Sequence, residues 1–145
     1  MQIPILFLAL LATFTTAQNA CTGDKSQAGY CTALTYVDRT TSVTGPPTVT
    51  ECLDTCRGVL SEAGDWQIDF RGQPASYVQV MMGYPCEFAV SRPASEPQYV
   101  TAVHNQDIID IIDEVNKRFG GLHAGKVAAT GTMNCGGHIA NWYVD

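Results

Sequence analysis

Six cysteines, Cys21, Cys31, Cys52, Cys56, Cys86 and Cys135, all follow an apolar leader, and that placement constrains the chain more than any other feature. The leader, MQIPILFLALLATFTTA, runs apolar from Ile3 to Leu11 and ends in small residues at Thr15 and Ala17, the pattern of a secretory signal peptide cleaved after Ala17. It is shorter than the roughly 20 apolar residues of a transmembrane helix, so no stable membrane anchor is expected. An even cysteine set in an oxidising compartment reads as three disulfides holding residues 18–145 as a single domain. Zinc would need reduced thiolates, and His104, His123 and His138 show no paired spacing for it; no metal and no cofactor are expected.

Two helices stand out. In NQDIIDIIDEVNKRFGG, residues 105–121, Ile108, Ile111, Ile112, Val115 and Phe119 recur on one helical face. Asn105 is the expected cap, Lys117 and Arg118 suit the negative end, and Gly120 is expected to take the left-handed turn that stops the helix. In TVTECLDTCRGVLSEAG, residues 48–64, Thr48 and Glu51 form a capping-box pattern. There Val49, Cys52, Leu53, Cys56, Val59, Leu60 and Ala63 share a face and Gly64 is the stop. Burying either stripe is worth about 1.5–3 kcal/mol per large side chain, against tenths for exposed charge pairs, so both faces should lie on a core.

Strands are expected at 30–37, 65–70, 77–82, 86–91, 126–135 and 139–144, the last two closing a hairpin through Gly136 and Gly137. Pro- and Gly-bearing loops fall at 40–48 and 91–98. The order predicts an α+β fold, an antiparallel sheet with two helices on one face in the split βαβ arrangement. Right-handed crossovers would place the strand at 30–37 centrally, between those at 86–91 and 126–135.

Six cysteines permit fifteen pairings, and helical neighbours four apart sit too far apart for a disulfide, which removes Cys52 with Cys56. In the expected topology Cys52 and Cys86 share one end of the sheet, and Cys31 and Cys135 the other. The preferred bridges are therefore Cys52 with Cys86, Cys31 with Cys135, and, by remainder, Cys21 with Cys56.

Net charge is −6 with 15% of residues charged, so there is no basic field to gather nucleic acid or anionic lipid. Gly120, Gly125 and Lys126 imitate a phosphate-binding loop, but Val127 replaces the metal-binding hydroxyl and the segment runs helix to strand, the wrong order. Asp107, Asp110, Asp113 and Glu114 read as a solvated helix face rather than a calcium site. His104 or His138 with Glu87 and Arg71 would suit a secreted ribonuclease, although no local motif joins them. No G-x-S-x-G elbow occurs, and Ser42, Ser61, Ser76, Ser91 and Ser95 lack a nucleophile signature. Trp66, Trp142, Tyr84 and Tyr99 are expected mostly in the core rather than on a stacking surface. No catalytic residue is assigned.

Four stretches, TVTECLDTC, GDWQI, YPCEFAV and HNQDIIDIIDEVNKRFGG with GKVAATGTMNC, together resemble the fungal putative necrosis-inducing factor domain, a family of homologues of an extracellular effector from a leaf-mould fungus. The resemblance runs from Thr48 to Cys135. It implies fungal origin, secretion to the extracellular space (the apoplast of a plant host) and a likeness to killer toxins of α/β sandwich fold, and it carries over no catalytic residue. Cys31, Cys52, Cys86 and Cys135 look like the family's usual four, with Cys21 and Cys56 additional. The expected function is a monomeric effector, necrosis-inducing in some hosts, that binds a host or competitor macromolecule. The alternatives are a small ribonuclease-like hydrolase and an antifungal killer-type toxin.

Overall fold

The computed structural model describes residues 19–62 and 64–145; the leader reading and the placement of Ala63 lie outside the described residues. After a short 3-10 turn at Ala20–Thr22 come β1 (Cys31–Ala33), β2 (Val37–Asp38), α1 (Val49–Ser61), β3 (Trp66–Asp69), β4 (Val78–Met82) and β5 (Phe88–Ser91). Then follow β6 (Val100–Val103), α2 (Asn105–Phe119), β7 (Ala129–Cys135) and β8 (His138–Val144). The fold is α+β, with every strand pairing antiparallel.

The main sheet runs β1-β7-β8-β5-β4, with β2 also paired to β7. The strand expected at 30–37 is therefore at an edge, not central, and it is broken in two. The two-residue hairpin explains the order: Gly136 and Gly137 both have positive φ, 62° and 91°, which sets β8 directly against β7 and leaves β1 only the far side. The break at Leu34–Tyr36 has its own cause. Tyr36 turns in to lie 5.0 Å from the Trp142 ring, over Gly131, where a Cβ would stand 1.9 Å from the Thr35 carbonyl oxygen. A second sheet, β3 with β6, departs from the single sheet that the sequence pattern predicts. Gln79 of β4 joins the two sheets by accepting from the Asp69 amide (3.2 Å) and donating to the Gln67 carbonyl (2.7 Å), which occupies the outer edge of β3.

Register puts Met133, Cys135, Ala140, Trp142, Val144, Phe88 and Val90 on one face of the main sheet, all of them fully buried. The helices pack on that face and on each other, contributing Val59, Ile108, Ile112 and Val115 to one core cluster. Leu60, expected on the packed face of α1, is 44% exposed and lines a surface depression with Ala20, Thr22 and Arg57 instead. The capping box of Thr48 and Glu51 forms as read.

α2 differs at both ends. His104, not Asn105, is the cap: its Nδ1 accepts from the Gln106 amide at 3.1 Å, and Asp107 returns a bond to the His104 amide at 2.9 Å. Asn105 instead accepts from the Trp66 indole (2.5 Å) and donates to the Glu62 carbonyl, tying the helix to β3. Gly120 is right-handed, φ −58°, and its small size serves contact, since a Cβ there would meet Val49 at 2.7 Å. In the turn that follows α2 the left-handed residues are Ala124 and Gly125.

Disulfides join Cys21 to Cys56, Cys31 to Cys135 and Cys52 to Cys86. One turn apart on α1, Cys52 and Cys56 diverge: the first reaches the start of β5 and the second the N-terminal turn. That turn and the segment after it lie across α2, so the acidic face of the helix is not solvated. Asp107 is 6% exposed and accepts from the amides of Tyr30 (2.9 Å) and Cys31 (3.2 Å), and Asp113 is 4% exposed, held by Asn19 and Lys117. Only Asp110, paired with Lys25, and Glu114, paired with Arg118, keep to the surface.

Candidate functional site

The chemistry-bearing side chains are spent separately on structure. His104 is a helix cap. His123 holds Asp38 at 2.6 Å; burial opposes ionisation of that carboxyl, but bonds from His123 and Thr40 outweigh it and keep its pKa below the ordinary value. His138 stacks 4.4 Å over Tyr99, the rings nearly parallel, with Glu96 at 3.4 Å, and burial pushes the Tyr99 hydroxyl up to about 12. Arg71 forks onto Asp69 at 3.0 and 2.7 Å, lowering that carboxyl to about 2. Among the described residues no hydrogen bond or ion pair joins His104 or His138 to Glu87 or Arg71, so the ribonuclease-like set is not assembled. Ser61 bonds its own helix, and Ser91 bonds Tyr143.

The loop imitation at Gly120–Lys126 is a connector. The Gly125 carbonyl accepts from the Val49 amide at 2.8 Å, and the Val127 amide donates to Pro47, so this turn clamps the start of α1. Of the four aromatics singled out by sequence, Trp142 and Tyr99 are core, Trp66 is half-buried and Tyr84 is 92% exposed.

Among the described residues no helix or second sheet covers the other face of the main sheet, where only the small residues Ala89 and Ser91 are buried. Strand alternation sends Thr130, Thr132, Asn134, Ile139, Asn141 and Tyr143 there. One row in register reads Val37, Thr130, Tyr143, Ala89, Val80; the next reads Thr132, Asn141, Ser91, Val78. Neither row contains a charge. Val37, Val78 and Val80 are 54%, 45% and 52% exposed, whereas valines on the other face are buried. The hydroxyls and amides between them are mutually ordered: Tyr143 and Ser91 oxygens lie 3.0 Å apart and Asn141 donates to Ser91 at 3.2 Å. Five strands at about 4.8 Å spacing make the face roughly 19 Å across. At roughly 400 Å², it is about half of what one partner gives to a standard interface. Exposed Leu34 beside one edge extends it. No single local signal marks this surface; alternation in β7 and β8 is legible, but not which side the helices cover.

Comparison with known proteins finds a secreted fungal relative and an effector family. A secreted chitinase of Penicillium expansum, LysM12, is 26% identical over 125 residues, covering 82% of this chain and 8% of that protein, so the chain spans a small part of its relative. The Hce2 family model, described as "Pathogen effector; putative necrosis-inducing factor", matches residues 30–135. The match begins upstream of the expected Thr48 boundary and takes in β1 and its cysteine as well as Cys52, Cys86 and Cys135. Spanning most of the sequence, it places the chain among its members: this protein belongs to the Hce2 family of pathogen effectors.

Proposed function

We propose that this protein is a secreted fungal effector that acts outside the cell by binding a protein of its host, without a catalytic step of its own. The observation that carries the reading is the open sheet face, uncharged and valine-bearing, on a body whose three histidines and Arg71 are engaged in holding the fold. Membership in an effector family supports it, and so do three disulfides, which suit an oxidising compartment. Rigidity favours binding by limiting the ordering entropy lost on association.

Infiltration of the secreted, oxidised protein into leaves of a range of plants tests it. Cell death, or suppression of a co-applied elicitor response, is expected in some hosts, and Val80→Glu with Val37→Glu should remove the effect while circular dichroism stays unchanged. No effect in any host, or an effect indifferent to those charges, refutes the reading. A second reading, a wall-directed antifungal protein, draws on the similarity to the secreted chitinase of Penicillium expansum. Cosedimentation with insoluble chitin and growth inhibition of competing fungi test that one.

A further inference from the structure

At one end of the open face lies a cavity of about 240 Å³ lined by Arg39, Val78, Glu87, Ala89, Tyr143 and Asp145. Glu87 and Asp145 stand directly opposite one another on the continuations of β5 and β8, exchanging both backbone bonds, at 2.7 and 3.2 Å. Their Cβ atoms are then about 5 Å apart on one side of the sheet. Like charges in directly opposed positions destabilise a sheet, and such a local conflict marks a place shaped for something other than stability.

The pair is incompletely neutralised. Arg39 reaches a single Asp145 oxygen, Oδ2, at 3.5 Å; the other, Oδ1, is buried without a hydrogen-bond partner. Among the described residues no hydrogen bond or ion pair engages the Glu87 carboxylate. Two side-chain carboxylates against one guanidinium leave surplus negative charge beside a wall formed by Val78, Ala89 and Tyr143. Burial raises the Asp145 carboxyl above its ordinary value despite Arg39, as expected of a desolvated anion short of counter-charge.

We propose that this cavity receives a lysine side chain of the protein partner. The aliphatic stem lies along Val78 and Tyr143, and the ammonium group sits beside Glu87 and the accessible edge of the Asp145 carboxylate, balancing the surplus charge. A guanidinium is a poorer fit because Arg39 already stands beside Asp145, and a neutral sugar would leave the surplus charge unanswered. A basic contact also suits a protein whose net charge is −6. This rests on the reading of the sheet face as the partner-binding surface.

The test is a two-dimensional ¹H–¹⁵N NMR titration of the oxidised, labelled protein with acetyl-Gly-Lys-Gly-amide, its Nε-acetyl-lysine analogue, and a glucosamine tetramer. The lysine peptide should shift the Val78, Ala89 and Tyr143 amides saturably, with a Kd on the order of 1 mM for one side chain. The acetylated analogue, and Glu87→Gln titrated with the lysine peptide, should each bind at least tenfold more weakly, while Asp54→Asn on α1 changes nothing. Equal binding of the acetylated peptide, indifference to Glu87→Gln, or tighter binding of the glucosamine tetramer overturns the proposal. If the peptide fails but leaves still respond to the wild-type protein, the cavity assignment falls and the effector reading stands. Lysine binding by a protein inert in every host upholds the cavity assignment and refutes the effector reading.

Discussion

Replacing Asp107 probes the contact that binds the N-terminal segment to the helical layer. Its carboxylate accepts three backbone amides, those of Tyr30 at 2.9 Å, Cys31 at 3.2 Å and His104 at 2.9 Å, at a site 6% exposed. Gly29 has no side chain where a Cβ would stand 1.8 Å from Asp107 Oδ1, so the chain is shaped around this carboxylate. A bond to a charged group is worth about 1.5–3 kcal/mol, and a buried donor left without a partner costs about 1–3 kcal/mol. The Tyr30 amide lies near the surface and water can replace its partner; the amides of Cys31 and His104 are better sheltered. Asp107→Ala should therefore cost about 3–5 kcal/mol in urea unfolding at pH 7, with an unchanged m-value, a large share of the roughly 5–15 kcal/mol of a typical domain. Asp107→Asn should recover little, since an amide supplies one acceptor oxygen where two are used. Asp110→Asn, which removes an exposed pair with Lys25, should cost less than about 1 kcal/mol. A loss below about 1 kcal/mol for Asp107→Ala, or equal losses at Asp107 and Asp110, would refute the claim that Asp107 is a buried cap.

Removing the Cys31–Cys135 bond by double alanine substitution releases a loop whose shortest covalent path, with the other bridges intact, is roughly 60 residues, and should cost about 4 kcal/mol in the same assay. Gly131→Ala would press a methyl group 1.9 Å from the Thr35 carbonyl and 2.4 Å from the Trp142 ring, and should cost about 3 kcal/mol or more, whereas Gly83→Ala, with open space around it, should stay within about 0.5 kcal/mol. A carboxyl whose folded-state pKa is raised, as Asp145's is, costs stability wherever it is ionised in both states, and the cost fades as pH falls through the raised value toward the ordinary one. Asp145→Asn should thus raise the Tm slightly at pH 7 and lose that advantage below about pH 4. The effect stays small because the side chain is 37% exposed and screened.

Local rules reach α1 and α2 because their causes are local: a capping box spanning one turn, and isoleucines and valines at helical spacing. They miss the edge position of β1 because strand order depends on which hairpin forms first in space, and β8 lies outside the crossover rule that would place β1 centrally. Asp107 reads as solvated for a related reason. Helical periodicity marks it polar, but the amides it caps at Tyr30 and Cys31 belong to residues more than seventy positions away. β6, a strand of four residues that follows a proline-bearing loop, is too short to declare itself. The cavity at the sheet end is beyond local reading altogether: in the sequence Glu87 stands out only as a ribonuclease candidate, and its neighbour across the sheet is set by the β5–β8 register.

The arrangement of the three crosslinks bears on how the chain withstands proteolysis. Every peptide bond from Cys21 to Cys135 lies inside at least one of the closed rings that the crosslinks create. A single scission anywhere in that span, including the proline-bearing loops at 40–48 and 91–98, leaves both fragments covalently joined, with the severed ends held beside one another by the sheet. A nicked molecule would therefore run as intact on a non-reducing gel and separate into pieces only after reduction.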